Sequence, residues 1–582
     1  MVALVYMVII AARYGYSPLI VPLHLAQVVL GCAVVGWLVR AVVRPIAPQR
    51  PRLARVLATA LGSAVSSVYL IVLICCAVTN EAWGWSVSLD LAREYTPSLT
   101  GIVGNLPFAR GLLYALGGLY LLAEGAIIAG WWMASAQLRP PAMSTLWPAV
   151  MVLATATFVL VARNSPRAAP EPFTALLTAP GLANKEAAWA NNVRARRGYA
   201  TTTTFDHRNV IVIFADALRA DHTSVYGYQR QTTPFLDRLA ATGRLRQVKL
   251  ALSTCSFTAC GVLSTLASRD TKVLEPGSLK IHDVLHDRGY HVNFIASTDN
   301  SSWYTLRMHY GQTVDYFFDG FDSRRYAMND DRAVLEGLNR VPNATGPAFF
   351  LFFLSSTTSL GSRLPEFRKW LPAEMEIAAG GNAVAALTNA YDNGILQADK
   401  SIERIFSVLD AKGYLKNSIV VILGDHGEGF GEHGHFAHTK YLYQEVLHIP
   451  LLIYDDSDAQ YTNLDFATQS DIAPTLLDRL GLPIPAGWQG HSMLSEHAKT
   501  FSTHWTDRGR PWHAVVYRAH GNIYKYLYQT RWGSLIEELY ELASDPGEHR
   551  NLMSAANPPL DVLAAVRRKA AETFSAPFAS GP

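Results

Sequence analysis

Residues 420–438 read VVILGDHGEGFGEHGHFAH. The apolar start, Val420 to Leu423, is typical of a short buried strand, and the glycine-rich continuation is typical of a loop. Open α/β sheets place ligand sites in loops at the carboxyl ends of their strands. Asp425 and His426 offer an oxygen and a nitrogen, a donor set that suits Zn²⁺ or Mn²⁺ better than Ca²⁺. We therefore predict a metal site, with a plain polar surface loop as the alternative.

The composition divides the chain into two parts. At 582 residues the chain exceeds one ordinary domain, and 50% of the residues are hydrophobic. The apolar residues concentrate in residues 1–163, whereas the remainder has the composition of a soluble domain. A net charge of +3 provides no electrostatic case for binding nucleic acid, so no such partner is expected.

Apolar runs in the first part are long enough to cross a bilayer, which takes about 20 residues. These runs are residues 17–43, 57–78, 111–134 and 144–161, and a shorter run covers residues 2–12. Arginines cluster in residues 40–55, so that loop is expected on the cytoplasmic side. Counting crossings from there puts everything after Arg163 outside the cytoplasm. We predict a multi-pass α-helical transmembrane domain of about five helices over residues 1–163, a linker over 164–208 and an extracytoplasmic domain over 209–582.

The second part alternates strand and helix patterns. Continuous apolar runs at residues 209–214, 291–296, 348–354 and 419–423 predict buried strands, and residues 390–409 predict a helix. This alternation predicts a mostly parallel sheet covered on both faces. Asp216 follows the first strand as Asp425 follows the last, which predicts that both lie at the carboxyl edge of the sheet.

Residues 253–266, STCSFTACGVLSTL, predict a loop that runs into a helix. A hydroxyl at the start of a helix meets the positive end of the helix dipole, which favours an anionic nucleophile or a bound phosphate. Helix capping by Ser or Thr is the alternative. Thr258 is the candidate nucleophile, and Ser256, two residues earlier, is the alternative.

Together Asp216, the Thr258 segment and Asp425-His426 resemble the alkaline phosphatase superfamily, in particular its sulfatase-like branch. The resemblance covers about residues 209–553, and its motifs lie at residues 209–216, 226–234, 424–434, 471–477 and 538–552. The resemblance implies an α/β fold with a mostly parallel central sheet.

Within that branch the chain resembles the membrane-anchored phosphoethanolamine transferases and their phosphoglycerol-transferring relatives. Their Gly-Tyr-x-Arg-x-Thr-x-Pro pattern stands at residues 227–234, their nucleophilic Thr-Ala pair at 258–259 and their Asp-His-Gly-Glu at 425–428. The first metal-binding acid is Asp216 here, where those transferases have Glu. Sulfatases instead make formylglycine from a Cys in a Cys-x-Pro-Ser-Arg context, and neither Cys255 nor Cys260 has that context. These two cysteines either pair or remain free thiols.

The resemblance implies a metal-dependent transferase in the inner membrane with a periplasmic catalytic domain. It would move a phospholipid head group, phosphoethanolamine first and phosphoglycerol next, through a phospho-Thr258 intermediate onto an envelope glycan or lipid such as lipid A. Asp216, Asp425 and His426 with Thr258 would hold Zn²⁺, or alternatively Mn²⁺. The loop at residues 355–361 lacks the histidine those transferases have there, which gives little support for a second metal.

Other residues are candidates for the substrate side of the site. His438 is expected to protonate a leaving group or hold a phosphate oxygen, with His435 as the second choice. Asp299, Asn300 and Trp303 are expected to shape the head-group pocket together with His435. A membrane-bound phosphodiesterase or sulfatase is the first alternative function, and a non-catalytic membrane scaffold or sensor is the second.

Overall fold

The computed structural model describes two compact units. Residues 1–100, 108–180 and 508–510 belong to one unit and the remaining residues to the other. The described residues are 35–39, 41–83, 109–136, 185–199, 203–269, 277–298, 306–320, 326, 330–358, 363–373, 383–457, 459–506, 512–531 and 534–574.

In the first unit, two long helices include two of the predicted membrane spans. Helix α1 is Pro51–Trp83 and helix α2 is Ala109–Ala136. Within the described residues, the segment Pro51–Ile71 is the one with the length and apolar character of a membrane span. The predicted runs 2–12 and 144–161, and most of 17–43, lie outside the described residues. The count of about five helices therefore stays a prediction.

Polar side chains join the two helices. Ser67 Oγ lies 2.7 Å from both carboxylate oxygens of Glu124 and donates a hydrogen bond to that carboxylate. Trp131 Nε1 donates to Ser66 Oγ at 3.1 Å. A carboxylate within an apolar helix is costly unless it has a partner, and Glu124 has one on the neighbouring helix.

The second unit contains helices and strands in alternation over most of its length. The strands are β1 Asn209–Ala215, β2 Leu245–Gln247, β3 Leu250–Leu252, β4 His291–Ala296, β5 Tyr316–Asp319, β6 Ala348–Leu354, β7 Ser418–Gly424, β8 Gly429–Phe430, β9 Phe436–Ala437, β10 His448–Ile449, β11 Leu451–Asp455, β12 Phe466–Thr468, β13 Phe501–Trp505, β14 His513–Ala519, β15 Asn522–Arg531 and β16 Ser534–Glu541. The helices are α3 Lys185–Gly198, α4 Pro234–Ala241, α5 Thr258–Ala267, α6 Ile281–His286, α7 Leu306–Tyr310, α8 Arg332–Arg340, α9 Ala383–Ala411, α10 Gln444–Leu447, α11 Ile472–Arg479 and α12 Leu560–Phe574.

The central sheet has the strand order β2-β11-β7-β1-β6-β4-β5. Strands β7, β1, β6, β4 and β5 are parallel, whereas β11 runs antiparallel to both β7 and β2. The predicted strands are confirmed as β1, β4, β6 and β7. The sheet is therefore mixed, with the predicted parallel arrangement in its centre and an antiparallel edge.

The central strands are buried on both faces, as their continuous apolar sequences predict. Every residue of β1, β6 and β7 is buried. Alternate residues of β1 face opposite cores: Val210, Val212 and Phe214 pack into one, and Ile211 and Ile213 into the other. Helices α5, α6 and α11 cover the first face, and α4, α8 and α9 cover the second.

A second sheet follows the α/β core and was not predicted. Strands β13 to β16 form an antiparallel sheet in sequential order. The turn between β14 and β15 has positive φ at both His520 and Gly521, which suits a tight hairpin. This sheet reaches the predicted nucleophile loop, because His504 Nδ1 lies 2.7 Å from Ser253 O and Trp505 pairs with Cys255.

Candidate functional site

The parallel register of β1 and β7 creates the site. Ala215 pairs with Gly424, so Asp216 and Asp425 leave the sheet side by side. Their carboxylates and the His426 imidazole each offer a ligand atom, and these atoms all lie within 4.8 Å of one another. His426 Nε2 lies 3.8 Å from Asp216 Oδ1 and 3.5 Å from Asp425 Oδ2. Three predicted metal ligands therefore meet at one point.

The donor atoms of this triad are arranged to receive a cation. Asp425 Oδ1 accepts hydrogen bonds from the backbone N–H groups of Ala217 at 2.8 Å and His426 at 2.9 Å. Asp425 Oδ2 is buried and has no hydrogen-bond partner among the described residues. His426 Nδ1 lies 2.8 Å from Gly427 O and donates to it, which leaves the Nε2 lone pair available. A buried carboxylate oxygen without a partner is costly, and a divalent metal would satisfy it.

The pKa shifts of Asp216 and His426 also fit a site for a divalent cation. Burial, with the neighbouring Asp425 and Glu428 carboxylates, holds the pKa of Asp216 well above its ordinary value. Burial lowers the pKa of His426, so its neutral form, the form that binds metal, is favoured. Clustered carboxylates beside a neutral imidazole fit a divalent cation, which would reverse the cost of ionising Asp216.

Thr258 lies against this triad. It is the first residue of α5, and its hydroxyl lies 3.2 Å from His426 Nε2. The side chain is buried, with 9% of the residue exposed. Ser256 is also buried, but its hydroxyl has no hydrogen-bond partner among the described residues. Of the two hydroxyls left open by the sequence, Thr258 is the one in contact with a triad residue.

A disulfide joins Cys255 and Cys260 across the start of α5. It links the loop before Thr258 to the first turn of the helix that Thr258 begins. The pairing resolves the alternative between a disulfide and free thiols. In this disulfide neither cysteine has a free thiol.

His438 and His435 occupy different environments. The rings of His438 and His426 have centroids 4.0 Å apart, and His438 Nδ1 lies 3.1 Å from Glu428 Oε1. Burial alone would lower the pKa of His438, but the Glu428 carboxylate outweighs it and raises that pKa. His435 is exposed and stacks on Tyr441 with centroids 4.6 Å apart. The structure therefore brings His438 to the triad, while His435 lies on the loop outside it.

The remaining predicted site residues lie outside the described part of the chain. These are Asp299, Asn300 and Trp303. The loop after β6 is described up to Thr358, and within it Thr357 Oγ1 donates to Asp216 O. Among the described residues, the triad is the one group of acidic, histidine or cysteine side chains that could hold a metal.

Gln469 holds the site together, and sequence reasoning missed it. Its Nε2 donates to Gly424 O at 3.0 Å and to Asp425 O at 2.7 Å. Its Oε1 accepts from Thr254 N at 2.9 Å. One buried amide thus connects the turn that carries Asp425, a candidate metal ligand, to the loop that precedes Thr258. A single glutamine two residues before the 471–477 motif carries no recognisable signal in the sequence.

Arg219 connects the loop after β1, which carries Asp216, to the loop after β7, which carries Asp425 and His426. Its Nη1 donates to Glu428 O at 2.9 Å and to Glu432 Oε1 at 2.8 Å. Its other guanidinium nitrogens bond Asp221 at 2.7–2.9 Å. The charge of this buried guanidinium is therefore paired with Asp221 and Glu432, and its role is to brace the loops.

Two family descriptions match the second unit. The sulfatase family matches residues 208–482, and the description "N-sulphoglucosamine sulphohydrolase, C-terminal" matches residues 431–572. The first of these covers the triad, Thr258, His438 and Gln469. The second includes the antiparallel sheet β13 to β16.

Individual relatives include both sulfatases and a transferase. The chain is 29% identical to arylsulfatase K of Bos taurus over 169 residues, which is 27% of this chain and 31% of that protein. It is 23% identical to the phosphatidylethanolamine transferase Mcr-1 of Escherichia coli over 289 residues, 46% of this chain and 53% of that protein. The chain therefore spans only about a third to a half of these relatives.

A solved structure that is similar is the C-terminal periplasmic domain of EcEptC from Escherichia coli in complex with Zn. The identity is 19% and the TM-score 0.46, covering 52% of this chain and 90% of that one. The sequence match to the sulfatase family at residues 208–482 leads to one conclusion. This chain carries a sulfatase-family domain of the alkaline phosphatase superfamily.

Proposed function

We propose that this chain is a metal-dependent transferase that moves a phospholipid head group through a covalent intermediate on Thr258. The observation that carries the proposal is the contact between the Thr258 hydroxyl and His426 Nε2, at 3.2 Å, beside two carboxylates. A threonine hydroxyl is a weak nucleophile unless a metal or a base activates it. His426, which contacts the Thr258 hydroxyl, is one of the three residues that could hold such a metal.

The disulfide favours this proposal over an ordinary sulfatase. Formation of formylglycine from a cysteine requires a free thiol, and Cys255 and Cys260 are bonded to each other. The residue that meets the triad is Thr258, which cannot be converted to formylglycine. Relatives of both classes are found, since the chain is 23% identical to Mcr-1 over 289 residues and 29% identical to arylsulfatase K over 169, so the preference for the transferase rests on Thr258 and the disulfide.

The first half of the reaction uses Thr258 as nucleophile and His438 as acid. When bound, a divalent cation, Zn²⁺ or alternatively Mn²⁺, supplies positive charge that lowers the pKa of the Thr258 hydroxyl and offsets charge on the phosphoryl oxygens. Thr258 gives its proton to solvent, and its Oγ forms a bond to the phosphorus of the donor phospholipid. The bond from phosphorus to the diacylglycerol oxygen breaks, and His438, held by Glu428, protonates that oxygen.

The second half restores the enzyme. An acceptor hydroxyl of an envelope glycan or lipid attacks the phosphorus of the Thr258 adduct, and His438 takes its proton. The bond from phosphorus to Thr258 Oγ breaks, and Thr258 regains a proton from solvent. Exclusion of water during this step separates transfer from hydrolysis. Phosphoethanolamine is the head group we propose first, with phosphoglycerol second.

The proposed location follows from the donor. A phospholipid donor and a candidate membrane span at Pro51–Ile71 fit a protein of the inner membrane with its second unit in the periplasm. The proposal also includes the other predicted membrane spans. It further includes a head-group pocket shaped by Asp299, Asn300 and Trp303. In this proposal His435, which lies on the loop outside the triad, contributes to the outer side of the head-group pocket.

The mass of the peptide that contains residues 255–260 tests the proposal. Full-length protein is incubated with Zn²⁺ and phosphatidylethanolamine, digested and analysed by mass spectrometry. We expect a phosphoethanolamine adduct on Thr258 that is lost in Thr258→Ala and retained in Ser256→Ala. An aldehyde at Cys255 would instead establish a sulfatase. Release of phosphoethanolamine to water, with no transfer to any acceptor, would establish the hydrolase alternative.

A further inference from the structure

Residues 363–373 form a loop whose backbone is pinned to α9. Asn393 accepts hydrogen bonds from the N–H groups of Lys369 at 2.9 Å and Trp370 at 3.0 Å, and donates to Trp370 O at 2.9 Å. Asn389 donates to Pro372 O at 2.9 Å. Both asparagines are buried, with 0% and 7% of their surface exposed. The loop is therefore held in one conformation by buried amides.

The side chains at the tip of this loop are apolar and cationic, and they face outward. Leu371 is 62% exposed and Trp370 is partly exposed. Arg368 and Lys369 beside them are exposed, and Lys369 Nζ lies 5.0 Å from the centroid of the Trp370 ring. We refer to residues 368–371 as the loop tip. A fixed backbone that exposes a leucine beside a tryptophan and two cations has no evident purpose in folding.

The loop tip lies at the same edge of the sheet as the triad. The loop follows the carboxyl end of β6, and α9 then runs back to the start of β7. Helix α9 has 29 residues and is about 44 Å long, whereas β7 has 7 residues and spans about 23 Å. The amino-terminal part of α9 therefore extends past the carboxyl edge of the sheet.

A hydrogen-bond contact links this part of α9 to the triad loop. Tyr391 OH donates to Ala217 O at 2.6 Å and accepts from Arg219 N at 2.8 Å. Tyr391 lies between Asn389 and Asn393, the residues that pin the loop. Asp392, on the same turn, pairs with Arg230, whose guanidinium lies 5.5 Å from the Trp370 ring. The triad loop and the loop tip are therefore supported by the same turn of one helix.

We propose that the loop tip inserts Trp370 and Leu371 into the interface of a phospholipid bilayer, with Arg368 and Lys369 binding anionic head groups. Tryptophan prefers the interface between water and hydrocarbon, and exposed Lys and Arg are attracted to anionic lipids. Insertion would bring the edge of the sheet that carries Thr258 to the lipid surface. The use of a membrane lipid as substrate rests on the proposed function, whereas insertion itself does not.

Insertion can be measured without any assay of activity. A nitroxide label is placed by Leu371→Cys in full-length protein in which Cys32, Cys75 and Cys76, the cysteines other than the Cys255–Cys260 pair, are replaced by serine. The protein is reconstituted into vesicles of phosphatidylcholine and phosphatidylglycerol. Collisions of the label with oxygen, which enters lipid, are compared with collisions with a nickel chelate, which stays in water.

Leu560→Cys is the matched control, because Leu560 is a 70% exposed leucine on α12. We expect oxygen collisions to exceed nickel collisions at residue 371 and the reverse at residue 560. Equal, water-like accessibility at both positions would overturn the proposal. A tip that served a protein partner would give this water-like result in purified protein.

A second measurement connects insertion to catalysis. The double variant Trp370→Ser, Leu371→Ser is compared with Leu560→Ser on a vesicle-embedded phospholipid and on a water-soluble phosphodiester. We expect at least about a fivefold loss of rate on the vesicle lipid and no change on the soluble ester. Equal rates on the vesicle lipid would overturn the link to catalysis. If wild-type protein has no transfer activity, the label measurement still decides whether the tip inserts.

Discussion

Replacement of Gly261 by alanine tests how closely the Thr258 helix must approach the Asp425 turn. Gly261 lies three residues after Thr258 in α5, and a Cβ at this position would lie 2.2 Å from Asp425 O and 3.1 Å from Gln469 Nε2. Real Cβ contacts essentially never fall below 3.0 Å, so the contact must open by about 0.8 Å. Both sides are backbone, so neither can rotate away. The Thr258 hydroxyl and the Asp425 carboxylate must therefore move apart.

The magnitudes follow from this displacement. Alanine gains about 1 kcal/mol over glycine in a helix, and overpacking costs about 1–3 kcal/mol, so we expect a net loss of about 1 kcal/mol in the free energy of unfolding. A displacement of about 1 Å in a catalytic site costs on the order of 100-fold in rate. We expect kcat to fall by about that factor while the chain remains folded.

The assay combines steady-state kinetics on a soluble phosphodiester with urea unfolding. Gly198→Ala is the control, because a Cβ at Gly198, at the end of α3, meets nothing within 4 Å. The control should leave kcat unchanged and should not lower the free energy of unfolding, which alanine at a helix end can raise by up to about 1 kcal/mol. A Gly261→Ala variant with wild-type kcat and stability would refute the close approach of α5 to Asp425.

The other predictions concern the same site. Gln469→Leu removes three buried hydrogen bonds, so urea unfolding should show a loss of about 3 kcal/mol, and a loss under 1 kcal/mol would contradict the bridging role. Asp425→Asn should reduce bound metal, measured by mass spectrometry, from about one ion per chain to a small fraction, and unchanged metal content would contradict the triad. A chelator should abolish turnover in wild-type protein, and added Zn²⁺ should restore it; turnover that survives the chelator would exclude a metal-dependent step. Replacing Cys255 and Cys260 by serine should lower stability by about 2 kcal/mol, since the closed loop is short, yet preserve the Thr258 adduct. Loss of the adduct in a folded double variant would implicate the cysteines in chemistry.

Several parts of the site could be predicted because they depend on neighbours in sequence. Continuous apolar runs predicted β1, β4, β6 and β7, since a strand buried on both faces has no polar positions. Asp216 and Asp425 follow two of these strands, and parallel strands end at the same edge. Thr258 was predicted at the start of a helix, because small hydroxyl residues there give way to an apolar helical pattern.

Other features depend on contacts between distant segments. Gln469 reaches Thr254 and Asp425, and nothing near it in sequence indicates either contact. The sheet β13 to β16 was not predicted, because contacts between chain segments, and not the local pattern, decide which strands pair. His435 and His438 stand three residues apart in the same loop, and only the path of that loop separates the one beside His426 from the one outside.

The sequence by itself predicted four strands of the central sheet, the candidate metal donors and the candidate nucleophile. These follow from hydrophobic periodicity and side-chain chemistry, which are local properties of the chain. Only the tertiary structure decided which donors meet, that Cys255 pairs with Cys260, and that the tip at residues 368–371 lies at the edge of the sheet that carries Thr258. Distances between segments far apart in sequence arise from packing of the whole domain, and no short stretch encodes them.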